Sequence, residues 1–253
     1  MALLSDADIE EPMLVTIGAA DAVANPSAAK RLNEMEKRNT EKPELLSRFG
    51  DLSHAKVSSS EFKYLKRAKI FGETEPADYI YQVVEGAVRT HKLLSDGRRQ
   101  IGAFHLPGDI FGLENGDLHR FTAEAIIDTT VCLVERLSLE GEAKTDPALV
   151  QSLRSMTTEN LQHIENHVLL LGRKNSHERV AAFLLEMNGR LSGPGVVALP
   201  MSRRDIADYL GITLETVSRA LSDFKRKGYL RFLDASQRQI VILNAAGLTE
   251  LDQ

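Results

Sequence analysis

Residues 202–228, SRRDIADYLGITLETVSRALSDFKRKG, decide the fold of the C-terminal part of this chain. Ser202 followed three positions later by Asp205 predicts a capping box at the start of a helix. Gly211 suits the left-handed conformation in which many helices end, and the hydroxyl of Thr213 can cap the helix that follows. Two short helices on either side of a glycine turn indicate a helix-turn-helix.

The second helix of this motif has one apolar and one polar face. Val217, Leu221 and Phe224 recur at steps of four and three, which predicts a face buried against the first helix. The polar side carries residue types that read base edges, because Arg pairs with guanine, Glu accepts from the cytosine amine and Ser adapts to several bases. We predict that the bases of a DNA site are read by Glu215, Ser218 and Arg219. Phosphate contacts, which position a protein without specifying sequence, are predicted for Ser202, Arg203, Thr213 and Thr216, and secondarily for Arg204 and Lys225.

Charge is distributed unevenly along the chain. The formal net charge of all 253 residues is −5, which argues against a protein that coats nucleic acid with its whole surface. Residues 203–238 nevertheless carry a charge of +3, and the remainder carries −8. This asymmetry favours DNA contact by one small domain.

Cysteine content, hydropathy and motifs argue against other classes of protein. One cysteine cannot form a disulfide within the chain. No apolar run approaches membrane-spanning length, and the N-terminus lacks the pattern of a signal peptide, so we expect a cytoplasmic protein without a membrane partner. No nucleophile–base pair, P-loop or HExxH motif indicates an enzyme, and no catalytic residue is assigned.

Short β-like runs separated by turns fill residues 62–139. Three of them follow one another closely: Tyr79–Val84, Ala87–Leu94 and Gln100–Leu106. Asp96-Gly97 between the second and third runs predicts a hairpin. Pro107-Gly108-Asp109 predicts a further turn, and Ala123–Glu135 supplies later strands. Repeated antiparallel pairs at this spacing predict a compact β-barrel or roll.

Residues before and after this β region have other patterns. Residues 1–50 have weak periodicity and predict a mobile extension. Pro147–Arg173 predicts a helix of roughly 40 Å, which is too long to lie on a small domain without a partner. Its apolar stripe at Leu149, Leu153 and Met156 resumes one residue out of phase, consistent with a stutter or a bend. The resumed stripe consists of Leu161, Ile164, Val168 and Leu171.

The C-terminal part contains further elements around the helix-turn-helix. Asn175–Leu191 predicts a helix that ends at Gly193-Pro194-Gly195, and Val196–Pro200 predicts a short strand. Tyr229–Leu233 and Gln239–Leu243 predict two strands around a turn. Such a hairpin after a helix-turn-helix is a wing, so this domain is expected to be a winged helix.

Several of these strings resemble a known family. From Met201 to Leu230 the chain is similar to the DNA-binding domain of the CRP/FNR family of bacterial transcription regulators, and Glu215-Thr-Val-Ser218-Arg219 matches the E-x-x-S-R pattern of the FNR type. YQVVEGAVR, GRRQIGAFHLPGDIFG and AEAI resemble the β-roll sensor domain of the same family. LLGRKNSHERVAAFLLEM, RRQIGAFHLPGDIFGLE and HRFTAEAI are most similar to its FixK branch.

This resemblance implies a fold class and a domain order. The expected class is α+β, with an N-terminal antiparallel β-roll that is cyclic-nucleotide-binding-like, a long dimerisation helix and a C-terminal winged helix-turn-helix. The expected boundaries are residues 1–50 for a flexible extension, 51–146 for the β-roll, 147–173 for the dimerisation helix and 174–253 for the DNA-binding domain.

The resemblance also implies a function and partners. It predicts a homodimer that binds double-stranded DNA at a palindrome similar to TTGAT-N4-ATCAA, with half-sites about one helical turn apart. It further implies contact with RNA polymerase and activation of genes for microoxic or anaerobic respiration or nitrogen metabolism.

The residues that would sense an effector depart from those of ligand-binding relatives. Cyclic-nucleotide-binding relatives carry a Glu after Phe111-Gly112 and an Arg-Ser pair later, where this chain has Leu113, and His119 with Arg120. Control by a cyclic nucleotide is therefore not expected. Cys132 falls where FNR has its internal iron–sulfur ligand, but residues 1–131 contain no cysteine, and one thiolate cannot hold a four-iron cluster. No cofactor is predicted.

Other readings of the chain stay open. A haem-gated nitric-oxide or redox sensor of the same family could use one of three histidines as an axial ligand: His91, His105 or His119. The β-roll could also serve an enzyme or kinase-regulatory role, with the C-terminal domain as a protein-interaction module. His163 and His167 are four apart, but no third ligand accompanies them, so a helix face is predicted there instead of a metal site.

Overall fold

The computed structural model describes residues 59–191 and 196–252. In the first range, eight strands precede three helices: β1 (Ser59–Tyr64), β2 (Lys69–Phe71), β3 (Tyr79–Glu85), β4 (Val88–Leu93), β5 (Arg99–His105), β6 (Ile110–Phe111), β7 (Thr122–Ala125), β8 (Thr129–Glu135), α1 (Arg136–Ala143), α2 (Pro147–Arg173) and α3 (Ser176–Leu191). In the second range the order is β9 (Val197–Ala198), α4 (Arg203–Leu210), α5 (Leu214–Arg226), β10 (Leu230–Phe232), β11 (Gln239–Ile242) and α6 (Ala245–Asp252). The predicted extension at 1–50, the start of the predicted β-roll at 51–58 and the predicted turn at 193–195 lie outside the described residues.

The first eight strands form two antiparallel four-stranded sheets, in the orders β1-β8-β3-β6 and β2-β7-β4-β5. Strands β4 and β5 form the hairpin that Asp96-Gly97 predicts, with Leu93 opposite Arg99. Gly97 has φ of 82°, a value that suits a residue without Cβ. Aromatic and aliphatic side chains fill the space between the sheets, including Phe71, Tyr81 and Phe111. The β-roll of the predicted fold class is confirmed.

The sequence pattern did not resolve every element of this region. Ala123–Glu135, predicted as later strands, does contain β7 and β8, with β7 beginning one residue earlier. Helix α1 was not predicted, because Leu139 is its one buried residue among those described and it has no apolar stripe to signal it. Helix α6 was likewise not predicted.

Helix α2 has the bounds that the sequence predicts. Asp146 caps it by accepting hydrogen bonds from the backbone N–H groups of Ala148 and Leu149, and Pro147 occupies the first helical position, where a missing N–H is harmless. Leu149 is buried, and Leu153 and Met156 pack beside it against the outer side of the β-roll. Among the described helices, none is long and apolar enough to cross a membrane.

The second apolar stripe of α2 lies on a different face of the helix. Leu161, Ile164 and Val168 are exposed by 54%, 51% and 62%, whereas Leu170 on the other side is buried. The sequence was interpreted as one apolar stripe with a stutter or a bend, whereas the two halves of the repeat are covered differently. The repeat marks two stripes roughly a quarter-turn apart. One packs on the β-roll of the same chain, and the other faces solvent except at its last member, Leu171, which is half-buried against the core of the winged helix.

The C-terminal elements form a winged helix-turn-helix, as predicted. Strands β10, β11 and β9 form an antiparallel sheet, and helices α3, α4 and α5 pack around one core that contains Phe183, Tyr209 and Phe224. The same core continues into the β-roll, because Phe104 of β5 lies 5.1 Å from Tyr209 between ring centroids. The first helix of the motif therefore packs directly on the β4–β5 hairpin.

Candidate nucleic-acid interface

The helix-turn-helix begins and turns as its sequence indicates. The Ser202 hydroxyl accepts from the backbone N–H of Asp205, and the Asp205 carboxylate accepts from the backbone N–H of Ser202, so the capping box is complete. Gly211 ends α4 in the left-handed conformation with φ of 62°. Thr213 caps α5 by accepting from the Thr216 N–H at 3.2 Å. These hydrogen bonds fix the angle at which the two helices meet.

Helix α5 presents a polar face to solvent. Val217, Leu221 and Phe224 are buried, as predicted. Glu215 and Arg219 are exposed and Ser218 is half-buried, and all three lie on the side away from the buried residues. The structure therefore brings the three predicted base readers together on one accessible surface. Their reading of bases stays a prediction.

The charge of Glu215 suits the role predicted for it. Hydrogen bonds from its own backbone N–H and from Thr213 lower the pKa of this carboxyl. The nearby cations Arg204 and Arg219 lower that pKa further. Glu215 is thus ionised at neutral pH, and an ionised carboxylate can only accept, which matches the cytosine amine.

Arg203 connects three elements of this interface. Its guanidinium donates to the Ser218 hydroxyl at 3.2 Å and to the Gln237 side-chain oxygen in the wing. It also lies 5.7 Å from the ring centroid of Phe232 in β10. Sequence reasoning treated Arg203 and Ser218 as separate contacts and missed Gln237, because nothing in the local pattern links residues 34 positions apart.

The other predicted phosphate contacts also hold the motif together. The Ser202 hydroxyl donates to Asp205 Oδ2 at 2.7 Å, and the hydroxyl oxygens of Thr213 and Thr216 lie 2.9 Å apart. All three residues sit at helix N-termini, where free N–H groups and the helix dipole favour an anion. Their contact with phosphates stays a prediction.

An ionic cluster joins the first helix of the motif to the β-roll. Asp205 Oδ1 accepts from Arg89 Nη1 at 2.7 Å and from Arg99 Nη2 at 2.6 Å. Arg99 Nη2 also lies 2.7 Å from Asp208 Oδ2, and Arg89 Nη2 lies 2.7 Å from Glu124 Oε1. The Arg89 and Asp205 side chains are only 11% and 6% exposed. We refer to these five residues as the hinge cluster.

Asp205 is ionised within the hinge cluster. Burial by itself would raise the pKa of this carboxyl. Hydrogen bonds from Ser202 and the charges of Arg89 and Arg99 outweigh that effect and leave the pKa below its ordinary value. No sequence signal revealed the cluster, since its partners are more than 100 residues apart.

Two further side chains hold the C-terminal ends of α2 and α4 together. Arg179 donates to the backbone carbonyls of Leu210 at 3.0 Å and Leu171 at 2.8 Å. The His167 ring stacks on Tyr209 with centroids 4.1 Å apart, and its Nε2 lies 3.0 Å from the Tyr209 carbonyl oxygen. In the described ranges, no three His, Cys, Asp or Glu side chains are grouped so that they could hold a metal ion.

The β-roll does not present the groups that a cyclic nucleotide requires. The Arg120 guanidinium is bound by Glu114, with Nε 2.7 Å from Oε2. The buried His119 ring stacks on Phe71 with centroids 3.6 Å apart, within the aromatic core of the roll. Leu113 offers no carboxylate for a ribose, and the carboxylate of Glu114 beside it is buried and paired with Arg120. The residues at this place in the roll therefore do not fit the nucleotide.

The single cysteine and His91 are buried, and His105 is half-buried. Burial raises the pKa of the Cys132 thiol to about 11, so this side chain is a neutral apolar group of β8. Burial lowers the pKa of His105 to about 3, and its Nε2 lies 3.1 Å from the Thr90 hydroxyl. Burial also lowers the pKa of His91. His105 borders a cavity of about 690 Å³ between the β-roll, α2 and α3.

Two family models match the chain. One is described as a Crp-like helix-turn-helix domain and matches residues 178–251. The other is described as a cyclic nucleotide-binding domain and matches residues 61–146. The matched ranges correspond to the winged helix and to the β-roll.

Individual proteins match over most of the chain. The nitrogen fixation regulation protein FixK of Azorhizobium caulinodans is 42% identical over 194 residues, which cover 75% of this chain and 77% of that protein. The protein of the same name from Rhizobium meliloti is 40% identical over 188 residues, covering 74% and 85%. The solved structure of FixK2 from Bradyrhizobium japonicum is 61% identical with a TM-score of 0.75, and the match covers 78% of this chain and 98% of that one.

Proposed function

Because this chain belongs to the CRP/FNR family of transcription regulators, we propose that it acts as a homodimer on a palindromic operator similar to TTGAT-N4-ATCAA. Its relatives regulate transcription and are not enzymes, and the chain is a DNA-binding regulator of the FixK/FNR type. One observation carries the proposal: Glu215, Ser218 and Arg219 share the accessible face of α5. A helix with this face enters a major groove.

Base readout is the first part of this proposal. Arg219 would pair with guanine, Glu215 would accept from a cytosine amine, and Ser218 would contact a neighbouring base. Helix α5 ends with Lys225 and Arg226, and cations there favour both the helix dipole and the phosphates beside the groove. The helix therefore combines sequence reading with attraction to the backbone.

Dimerisation through α2 is the second part. Leu161, Ile164 and Val168 follow one another at steps of three and four and are more than half exposed, although they are large and apolar. This is the spacing of a coiled-coil seam. Two such helices related by a two-fold axis would place two α5 helices about one helical turn apart on a palindrome.

The genes that the protein controls form the third part. Relatives carry the names nitrogen fixation regulation protein and fumarate and nitrate reduction regulatory protein. We propose activation of genes for microoxic or anaerobic respiration or nitrogen metabolism, through contact with RNA polymerase. Transcription in vitro from a promoter with this palindrome should rise when the protein is added, and unchanged transcript levels would contradict activation.

A binding titration tests the proposed function. Purified, effector-free protein is titrated with a TTGAT-N4-ATCAA duplex and with a scrambled duplex at one salt concentration. We expect binding to the palindrome to be roughly 10³-fold tighter or more. An absorption spectrum of the same sample is recorded. Equal affinity for the two duplexes would overturn the proposal, and a Soret band would favour a haem sensor of the same family instead.

Arg219→Ala should cost about 1–3 kcal/mol of binding free energy, because the bidentate hydrogen bonds to one base are removed. The effect should fall on one base pair. The variant should therefore bind the unchanged operator and an operator altered at that base pair with equal affinity. Arg226→Ala is the control, because it removes the same charge from the same helix at an exposed position beside Asp223. If Arg219→Ala discriminated all base pairs as the parent protein does, the proposed register of α5 would be wrong.

Arg203→Ala should weaken binding to all sequences and lower the slope of log affinity against log salt by about 0.9, the value for one neutralised phosphate. Arg203 has five N–H donors, so it can hold Ser218 and Gln237 and still donate to a phosphate. Arg203→Lys keeps the charge and serves as the comparison. An unchanged salt slope in Arg203→Ala would show that this side chain supports Ser218 and the wing without touching DNA.

A further inference from the structure

A cationic cleft lies between the β-roll and the winged helix. Its volume is about 330 Å³, and it opens beside Ser202, at the start of the helix-turn-helix. One wall comes from the turn between β1 and β2 together with β4 and β5, and the other comes from α4 and the wing. Six cationic side chains line it: Lys66, Arg67, Arg89, Arg99, Arg204 and Arg238.

The charges of this cleft do not balance. Glu124 and Asp205 are the acids that line it. Both are already paired, since Glu124 binds Arg89 and Asp205 binds Arg89 and Arg99. In the part of the chain that the structure describes, Lys66, Arg67 and Arg204 form no ion pair. The Arg238 guanidinium donates to the Pro200 carbonyl at 3.5 Å. The cleft therefore has a surplus of positive charge in a protein whose net charge is −5.

The turn that supplies Lys66 and Arg67 is held in a defined shape. The Lys66 backbone N–H donates to Asp128 Oδ1 at 2.8 Å, and that of Arg67 donates to the Ala125 carbonyl at 2.8 Å. Arg67 has φ of 68°, in the left-handed region that residues other than glycine rarely adopt. A strained backbone conformation of this kind persists only where the surrounding structure holds it in place, and such conformations are common at functional sites.

Arg89, which lines the cleft, is already committed to the hinge cluster. Arg89 uses its two terminal nitrogens in the hinge cluster, but its Nε is buried without a hydrogen-bond partner among the described residues. A buried donor without an acceptor costs free energy, as do cations held close together without counter-charges. A group with several anionic oxygens bound in the cleft would offset the repulsion between these cations, and guanidinium groups favour phosphate as a partner.

We propose that this cleft binds adjacent phosphate groups and that its cations without an ion pair are the ligands: Lys66, Arg67, Arg204 and Arg238. Because its two walls belong to the β-roll and to the winged helix, bound phosphates would bridge them and stabilise their present arrangement. Two sources have the same chemistry. The phosphates of operator DNA beyond the palindrome are one source, which rests on the proposed function, and a free diphosphate or polyphosphate is the other.

The variant Lys66→Ala/Arg67→Ala tests the cleft without touching α5 or the hinge cluster. Alanine at position 67 keeps the Cβ of arginine, so the strain of the turn is unchanged. The control, Lys63→Ala/Lys144→Ala, removes two exposed cations that do not line the cleft. Thermal unfolding of all three proteins checks that they are equally folded.

The first arm of the experiment measures the affinity of each protein for two DNA duplexes. One duplex ends at the palindrome, and a second extends it by about one helical turn on each side. If flanking phosphates occupy the cleft, the parent protein binds the longer duplex roughly tenfold tighter or more, with a steeper salt slope. The variant should bind the two duplexes alike, with a slope lower by about 0.9 for each phosphate that it no longer neutralises. Its affinity for the short duplex should equal that of the parent protein.

The second arm titrates inorganic pyrophosphate into protein without DNA and follows the heat of binding. If a free anion is the ligand, the parent protein and the control bind one pyrophosphate per chain, and the variant binds at least tenfold more weakly. The proposal is overturned if the variant behaves as the parent protein does in both arms, or if the control is weakened as much. Failure of the parent protein to prefer the palindrome would instead contradict the proposed function.

Discussion

Replacing Ile164 and Val168 by aspartate is expected to make the protein monomeric and to weaken its binding to the palindrome by roughly 10²–10⁴-fold. Both side chains lie on the exposed stripe of α2, with 51% and 62% of their surface in solvent. Two copies of this stripe would place four carboxylates in one apolar seam, where desolvation and repulsion oppose association. A monomer binds one half-site at a time and loses the additional affinity that comes from binding both half-sites together.

The control for this variant is Gln162→Asp/Asn166→Asp. These positions are exposed on the other side of the same helix, so the change adds the same charge at nearly the same place along the helix axis. Sedimentation velocity should give a monomer for the first variant and a dimer for the control. Binding of the palindrome by a monomeric variant at the affinity of the parent protein would contradict the proposed dimer.

Asp205→Ala is expected to lower the free energy of unfolding by about 2–4 kcal/mol, because it removes a buried acceptor that two guanidinium groups share together with one half of a capping box. Arg89 and Arg99 both donate to this carboxylate, and the capping box of α4 disappears with it. Chemical denaturation measures the change. Asp208→Ala is the control, because Asp208 is only half-buried and accepts from Arg99 alone among the described residues.

A second variant separates the ionic contribution from a general packing defect. Asp205→Asn keeps the shape of the side chain and one acceptor oxygen but removes the charge, so its loss of stability reports the ionic contribution. If Asp205→Asn were as stable as the parent protein, the charge of this carboxylate would not be the cause of the destabilisation.

The contribution of Asp205 should also depend on pH. Its pKa is lowered in the folded protein, so the carboxylate stabilises the fold above the ordinary value of 3.8. That stability is lost as the pH falls through the lower pKa of the folded state. The difference in unfolding free energy between the parent protein and Asp205→Asn should therefore be largest near neutral pH and should shrink below about pH 4. A difference that stayed constant to about pH 3 would contradict this account.

Local patterns carried most of the architecture. The capping box, the left-handed glycine and the threonine cap of the helix-turn-helix each depend on residues within a few positions of one another, and the structure confirms all of them. The Asp96-Gly97 hairpin and the bounds of α2 depend on similarly short ranges. Helices α1 and α6 were missed because neither has a marked apolar stripe.

The same distinction applies to the candidate site. Glu215, Ser218 and Arg219 could be selected from the sequence, because helical periodicity places them opposite the buried face of α5. The role of Arg203 could not be predicted fully, since its partner Gln237 lies in the wing. The two faces of α2 could not be separated either, because periodicity records that a residue is apolar and not which surface covers it.

The sequence by itself determined the helix-turn-helix, the β-roll and the residues that face outward from α5, because hydrogen-bonded caps, turns and periodic burial are interactions between near neighbours. Only the tertiary structure decided how the two domains meet. Arg89 and Asp205 are 116 residues apart, and the cationic cleft is formed by a turn in the β-roll and residues of the winged helix. Charges so distant in the chain interact strongly only after folding brings them within a few ångströms and removes the water between them.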